Sequence, residues 1–166
     1  MPPLYKTIPS PVGQLTLVAR ERKLAAILWE SERLNRVRLG PLEEDSQHPT
    51  LKETERQLAE YFAGQRSRFE LELDFAGTDF QIRVWQALLT IPFGQTRSYR
   101  DIAIQIGQPT AVRAVGAANG RNPISIIAPC HRVIGSSGSL TGFAGGLAAK
   151  QFLLSLEGQQ TLQLAF

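Results

Sequence analysis

Apolar residues gather in three short runs near the start of the chain, Leu4–Ile8, Leu15–Ala19 and Leu24–Trp29, and Pro9-Ser10-Pro11-Val12-Gly13 separates the first from the second. Runs of this length bounded by Pro, Gly and Ser read as strands, so the pattern predicts a small antiparallel sheet. Residues 30–50 are charged and broken by Gly40-Pro41, which marks a connection. From Lys52 to Phe62 the period lengthens: Leu51, Leu58, Tyr61 and Phe62 fall on one stripe of a helix, with Gly64 as its stop. Phe69-Glu70-Leu71-Glu72-Leu73-Asp74-Phe75 alternates apolar with acidic residues, predicting a half-exposed strand with a solvated acidic face.

The composition changes at Ala76-Gly77-Thr78, and the expected organisation is two domains, residues 1–76 and 77–166. Thr78 or Asp79 can cap a helix through Phe80, Val84, Trp85, Leu88 and Leu89, ended by Ile91-Pro92-Phe93-Gly94. A second helix is expected from Tyr99 to Ile106, stopped by Gly107. After the turn at Gln108-Pro109, Thr110 can cap a third from Ala111 to Asn119. Two short helices joined by a tight glycine-containing turn are the pattern of a helix-turn-helix. The expected fold class is α/β: a small N-terminal domain of antiparallel sheet and helix, then a mainly helical C-terminal domain carrying the helix-turn-helix and a cysteine segment.

Charge sharpens that division. The whole chain is +3, but residues 77–166 carry seven basic and three acidic side chains (+4) against eleven and twelve in residues 1–76 (−1). The second half is therefore the better match to an anionic partner. No stretch approaches membrane-spanning length without charge, and the N-terminus lacks the basic start and apolar run of a signal peptide, so no membrane partner and a cytoplasmic location are expected. One cysteine excludes an internal disulfide, and with two histidines it leaves too few soft ligands for a structural zinc site. No glycine-rich phosphate loop or dinucleotide fingerprint is present, and no cofactor or metal is expected.

The chemistry concentrates in Ile126-Ile127-Ala128-Pro129-Cys130-His131-Arg132-Val133-Ile134-Gly135. A cysteine in an apolar segment is most often a small inert hydrophobe. Pro129 removes a backbone donor and restricts Ala128 to extended conformations, while His131 and Arg132 put ionisable or cationic groups beside the sulfur, surroundings that favour thiolate. Both readings stand on these residues alone. On an extended strand His131 would point away from Cys130, so direct contact requires a bend and a bridging water relaxes the need. The third helix, with Ala111, Ala114, Gly116, Ala117 and Ala118, suits either tight packing against another helix or close approach to another surface, with Arg113 projecting among the small residues.

Pro129-Cys130-His131-Arg132-Val133-Ile134-Gly135 resembles the active-site signature of the O6-alkylguanine-DNA alkyltransferases. The likeness extends through Ser98-Tyr99, Arg113-Ala114-Val115-Gly116-Ala117-Ala118-Asn119 and Asn122-Pro123 upstream. Downstream it includes Gly142-Phe143-Ala144-Gly145-Gly146 and Leu153-Leu154-Ser155-Leu156-Glu157-Gly158, about ninety residues in all. It implies duplex DNA containing O6-alkylguanine as partner, and irreversible, single-turnover transfer of the alkyl group to Cys130. It implies a monomer, and leaves open repair of O4-alkylthymine and cooperative packing on DNA.

The resemblance also implies roles. Cys130 is the nucleophile, deprotonated by His131 through water, with Glu157 orienting the histidine and Asn122 the hinge between recognition helix and cysteine. DNA contacts fall to Arg113, Tyr99, Thr110, Ala114, Gly116 and Ser136, with Arg113 filling the gap left by an extruded nucleotide. The substrate pocket falls to Tyr99, Val133, Phe143 and Ala144. Phe143 and Ala144 depart from the family's hydroxyl-bearing lid residues, so slower transfer or an altered substrate range is expected. Two other readings remain: a cysteine hydrolase built on Cys130 and His131, and a DNA-binding protein without transfer activity. The alkyl-transfer reading requires an ionised sulfur open to a rotated-out base.

Overall fold

The computed structural model describes residues 1–33, 35–136, 139–140, 143–158 and 163–164. Strands β1 (Leu4–Ile8), β2 (Leu15–Arg20) and β3 (Lys23–Trp29) form the predicted antiparallel meander. A two-residue strand, β4 (Glu43–Glu44), joins β1 in parallel, giving a mixed sheet of order β3-β2-β1-β4. Helix α1 (Pro49–Phe62) packs on the sheet and begins three residues before the predicted start, because His48 accepts a hydrogen bond from the Thr50 amide and Pro49 suits the first turn.

Phe69–Phe75 is not a ladder strand. Its burial alternates as expected from Phe69 to Leu73, but Asp74 is half-buried against Arg20, and the segment pairs with β3 only at Leu73, opposite Leu24. Two hydrogen bonds hold it to β3, Leu24 N–H to Glu72 O and Asp74 N–H to Leu24 O, both 2.9 Å. The reason is competition for one short edge: the same side of β3 also receives Ile27 N–H to Pro123 O at 2.9 Å and a bridge from Ile27 to Ile124. Two irregular segments from distant parts of the chain thus cover an edge that would otherwise invite intermolecular pairing.

Helix α2 (Asp79–Leu88) starts with a capping box in which Thr78 and Gln81 bond each other's backbone amides. Strand β5 (Arg97–Ser98) leads into α3 (Tyr99–Gln105), capped in the same way by Ser98 and Asp101. Gly107 takes φ +79°, and α4 (Val112–Gly120) completes the helix-turn-helix. Thr110 does not cap α4: Ala111 occupies that position, with no side-chain hydrogen bond. A 3₁₀ turn at Cys130–Arg132 leads into β6 (Val133–Ile134), parallel to β5. The pair β7 (Ser139–Leu140) and β8 (Gln163–Leu164) flanks α5 (Leu147–Leu156).

Two apolar cores result. One unites the sheet and α1 with Ile124, Ile126, Ile127, Ala149 and Leu153; the other joins α2, α3 and α4 around Cys130 and Val133. Between them runs Asn122–Pro129, fully buried. Within it Ile126 adopts φ +76°, a conformation costly for a β-branched side chain at about 1–3 kcal/mol.

Candidate active site

Cys130 does not sit on an extended strand. It opens the 3₁₀ turn, where successive side chains rotate by about a third of a turn, so His131 is not forced to the opposite face. Three hydrogen bonds anchor the approach: Asn122 Nδ2 donates to Ala128 O at 2.7 Å, Asn122 Oδ1 accepts from Ile124 N–H at 3.0 Å, and Asn119 Nδ2 donates to Cys130 O at 3.4 Å. Asn122 is wholly buried and also stabilises the thiolate by side-chain hydrogen bonding, as does Ser125.

The expectation of an open thiolate is overturned. The Cys130 residue is 3% exposed, and burial pushes its thiol above the ordinary value despite the opposing effects of Asn122, Lys150, Arg36 and Ser125. Arg132, read from sequence as a cation for the sulfur, is turned elsewhere. Its Nε and Nη2 donate to Glu157 at 2.7 and 2.9 Å, and its Nη1 donates to Ile91 O at 2.7 Å.

Glu157 is the hub of the buried polar network. Besides Arg132 it faces His131 Nε2 at 2.8 Å and accepts the Tyr61 hydroxyl, contributed by α1. Burial alone would raise its carboxyl, but hydrogen bonds from His131 and Arg132 outweigh that and hold it at about 2. Burial lowers His131, keeping it neutral near neutral pH. With the Nε2 proton directed at Glu157, His131 Nδ1 is an unprotonated acceptor, and it is buried with no hydrogen-bond partner among the described residues.

Lys150 on α5 is the residue that sequence reasoning missed. It is fully buried, donates to Val133 O at 2.7 Å, and lies 6.0 Å from the centre of the Phe143 ring. Burial lowers its ammonium to about 8, while the Cys130 sulfur opposes that shift. The available signal was a lysine beside Ala149 and one turn before Leu154, on the apolar side of a helix whose other polar residues are Gln151 and Ser155. Trp29 was missed as well. Its Nε1 donates to Ser125 Oγ at 3.0 Å, its ring meets Phe143 edge-on at 5.4 Å, and a Cβ on Gly145 would come within 2.7 Å of it.

The residues expected at DNA lie elsewhere, on the surface. Arg113 and Ala114 on α4 are exposed, as are Thr110 and Ser136, and Ala117 is exposed rather than packed. Tyr99 is half-buried against the second core, with its ring 3.8 Å from where a Cβ on Gly116 would stand. Of the pocket residues, Val133 is buried, and Phe143 and Ala144 are half-buried. Gly142 lies outside the described residues.

Comparison with known proteins bears on this arrangement. Residues 4–75 match the 6-O-methylguanine DNA methyltransferase, ribonuclease-like domain, and residues 79–159 match the 6-O-methylguanine DNA methyltransferase, DNA binding domain. A methylated-DNA–protein-cysteine methyltransferase of Mycolicibacterium paratuberculosis is 52% identical, with 92% of this chain aligned to 91% of that protein. The constitutive enzyme of that name from Bacillus subtilis is 45% identical over 92% of this chain and 94% of its own. The crystal structure of Mycobacterium tuberculosis OGT in complex with DNA superposes with a TM-score of 0.86 at 51% identity, covering 93% of this chain and 92% of that one. The chain belongs to the 6-O-methylguanine DNA methyltransferase family, and its activity is that of a methylated-DNA–protein-cysteine methyltransferase.

Proposed function

We propose that this protein extrudes an O6-alkylated guanine from duplex DNA and moves the alkyl group to Cys130 in one irreversible turnover. The observation that carries the reading is the buried chain Arg132/Tyr61–Glu157–His131, which ends at an unpartnered Nδ1 on the residue following the nucleophile. His131 Nδ1 takes the thiol proton, directly or through one water, and Glu157 stabilises the imidazolium that forms. The Sγ lone pair then attacks the alkyl carbon, and the bond from that carbon to guanine O6 breaks. The base leaves with the electron pair and accepts a proton. The thioether has no second cysteine to resolve it, so each chain reacts once.

Residues 77–166 carry DNA contact and transfer, and residues 1–76 support them. Arg113 and Ala114 present the exposed face of α4 to the duplex, with Thr110, Gly116 and Ser136 alongside, and Tyr99 faces the phosphate of the rotating nucleotide. Because Cys130 is closed off, an extruded purine reaches the sulfur only after displacement of its cover. Phe143, which packs against both cores, is the residue to move. The pocket for the base is then Tyr99, Val133, Phe143 and Ala144.

The test is intact-protein mass spectrometry after incubation with duplex DNA containing O6-methylguanine. The expected result is a single methyl gain per chain, mapped to the Cys130 peptide and absent from Cys130→Ser. Methyl on another residue, or more than one demethylated guanine per chain, would refute the proposal.

A further inference from the structure

A cavity of about 270 Å³ lies where the N-terminal sheet meets the helical half, away from Cys130. Four arginines line it, Arg20, Arg36, Arg38 and Arg121, together with Gln81 and Trp85, and among the described residues no carboxylate does. Gly77 forms part of the wall, and a Cβ there would collide with Trp85 and Gln81 at 2.7 and 2.8 Å. The arginines are not equivalent. Arg20 is paired with Asp74 at 2.8 Å, and Arg36 is buried, paired with Glu32, and donates to Gly120 O and Asn122 O at 3.2 and 2.9 Å. Those two are structural, with their charge met by an acid outside the cavity lining.

Arg38 and Arg121 are different. Both are exposed at the rim, and neither guanidinium has an ion pair or hydrogen bond among the described residues. One comes from the connection after β3 and the other from the residue that ends α4. The fold therefore brings two uncompensated guanidinium groups from opposite halves of the chain to one concave surface that already holds two more. Like charges gathered this way repel unless an anion lies between them, and guanidinium forks match phosphate oxygens in shape and charge.

We infer that this cavity is a site for a phosphate-class anion, bridged by Arg38 and Arg121, which ties the N-terminal sheet to the end of the helix-turn-helix. The anion is either a backbone phosphate of bound DNA or a free polyphosphate. The full-length protein and the double variant Arg38→Ala/Arg121→Ala distinguish the two, with pyrophosphate as the free probe and an undamaged duplex as the other. For a free anion, pyrophosphate at constant ionic strength raises the melting temperature of the parent. Its affinity for the double variant is lower by about tenfold or more, the loss expected for charge-assisted hydrogen bonds. For a DNA phosphate, pyrophosphate has no effect, but the slope of log affinity against log salt for the duplex is shallower in the variant by about one. Unchanged salt slopes, together with pyrophosphate that acts equally on both proteins or on neither, would overturn the inference. The pyrophosphate arm needs no damaged DNA, so its outcome is independent of the alkyl-transfer reaction.

Discussion

Replacing Lys150 with methionine asks whether an ammonium is held in the interior at a cost to folding. Lys150 is fully buried, and burial brings its ammonium from the ordinary 10.5 to about 8. At neutral pH it is protonated in both folded and unfolded chains, so the folded state bears the whole cost, about 3 kcal/mol. The sign then reverses the usual lysine case. As pH rises through about 8 the folded chain releases its proton while the unfolded chain keeps it until about 10.5, so stability from this group rises by about 2.5 kcal/mol between about pH 7 and pH 10. Methionine carries no proton, although it leaves Val133 O without its donor at about 1–3 kcal/mol. Urea denaturation of both proteins at the two pH values, each in a Cys130→Ser background because the sulfur and the ammonium act on each other, isolates the effect. The stability of the parent minus that of the variant should climb by about 2.5 kcal/mol. A difference that stays flat with pH would show that the ammonium is solvated in the folded state, and the reasoning would fail.

The same network yields further tests. Glu157→Gln strips Arg132 of its buried counter-charge and should cost about 3–5 kcal/mol by denaturant titration. It should also lower the methyl-transfer rate by misorienting His131, and a rate equal to the parent's would remove Glu157 from the relay. Because Glu157 is held at about 2 against an ordinary 4.5, its contribution is whole above pH 4.5 and fades as pH falls toward 2, an acid dependence that the glutamine variant should lack. Since burial raises the Cys130 thiol and lowers His131, both are neutral around neutral pH, so with the proton passing internally to His131 single-turnover transfer at saturating DNA should stay nearly flat from about pH 6.5 to pH 8, whereas a rate climbing about tenfold per pH unit would mean that the thiol loses its proton to solvent instead. Gly145→Ala drives a methyl group into the Trp29 ring and should destabilise by about 1–3 kcal/mol, read as a lowered melting temperature. Phe143→Tyr should raise the transfer rate at saturating DNA if a lid hydroxyl assists the leaving base, and an unchanged rate would assign the donor elsewhere.

Much of the scaffold was legible in the sequence because its signals are local. Thr78 with Gln81 and Ser98 with Asp101 cap their helices within four residues, and Leu15–Arg20 and Lys23–Trp29 pair across a two-residue turn. What escaped depends on distant partners. The segment around Leu73 lost its ladder to Pro123 and Ile124, fifty residues away. The 3₁₀ turn at Cys130 carries no propensity signature, and Arg132 swung to Glu157 because a buried carboxylate attracts a guanidinium more strongly than a thiol does. Glu157 and Asn122 entered through family resemblance; composition alone offered a helix-end carboxylate and a loop amide. Tyr61 looked like one more apolar stripe residue, and its hydroxyl on Glu157 follows only from the docking of α1 beside the active-site turn.

The core that contains the sheet also contains Ile124, Ile126 and Ile127 from the other half, and Trp29 grips both Ser125 and Phe143. Matching two domain families does not make the protein two separable pieces. A fragment cut near Gly77 would keep the sulfur but strip the wall from behind it, leaving a strained isoleucine and a raw apolar seam in water. Heat or urea should therefore melt both halves in one step, and the nucleophile's surroundings should survive only as long as the N-terminal sheet does.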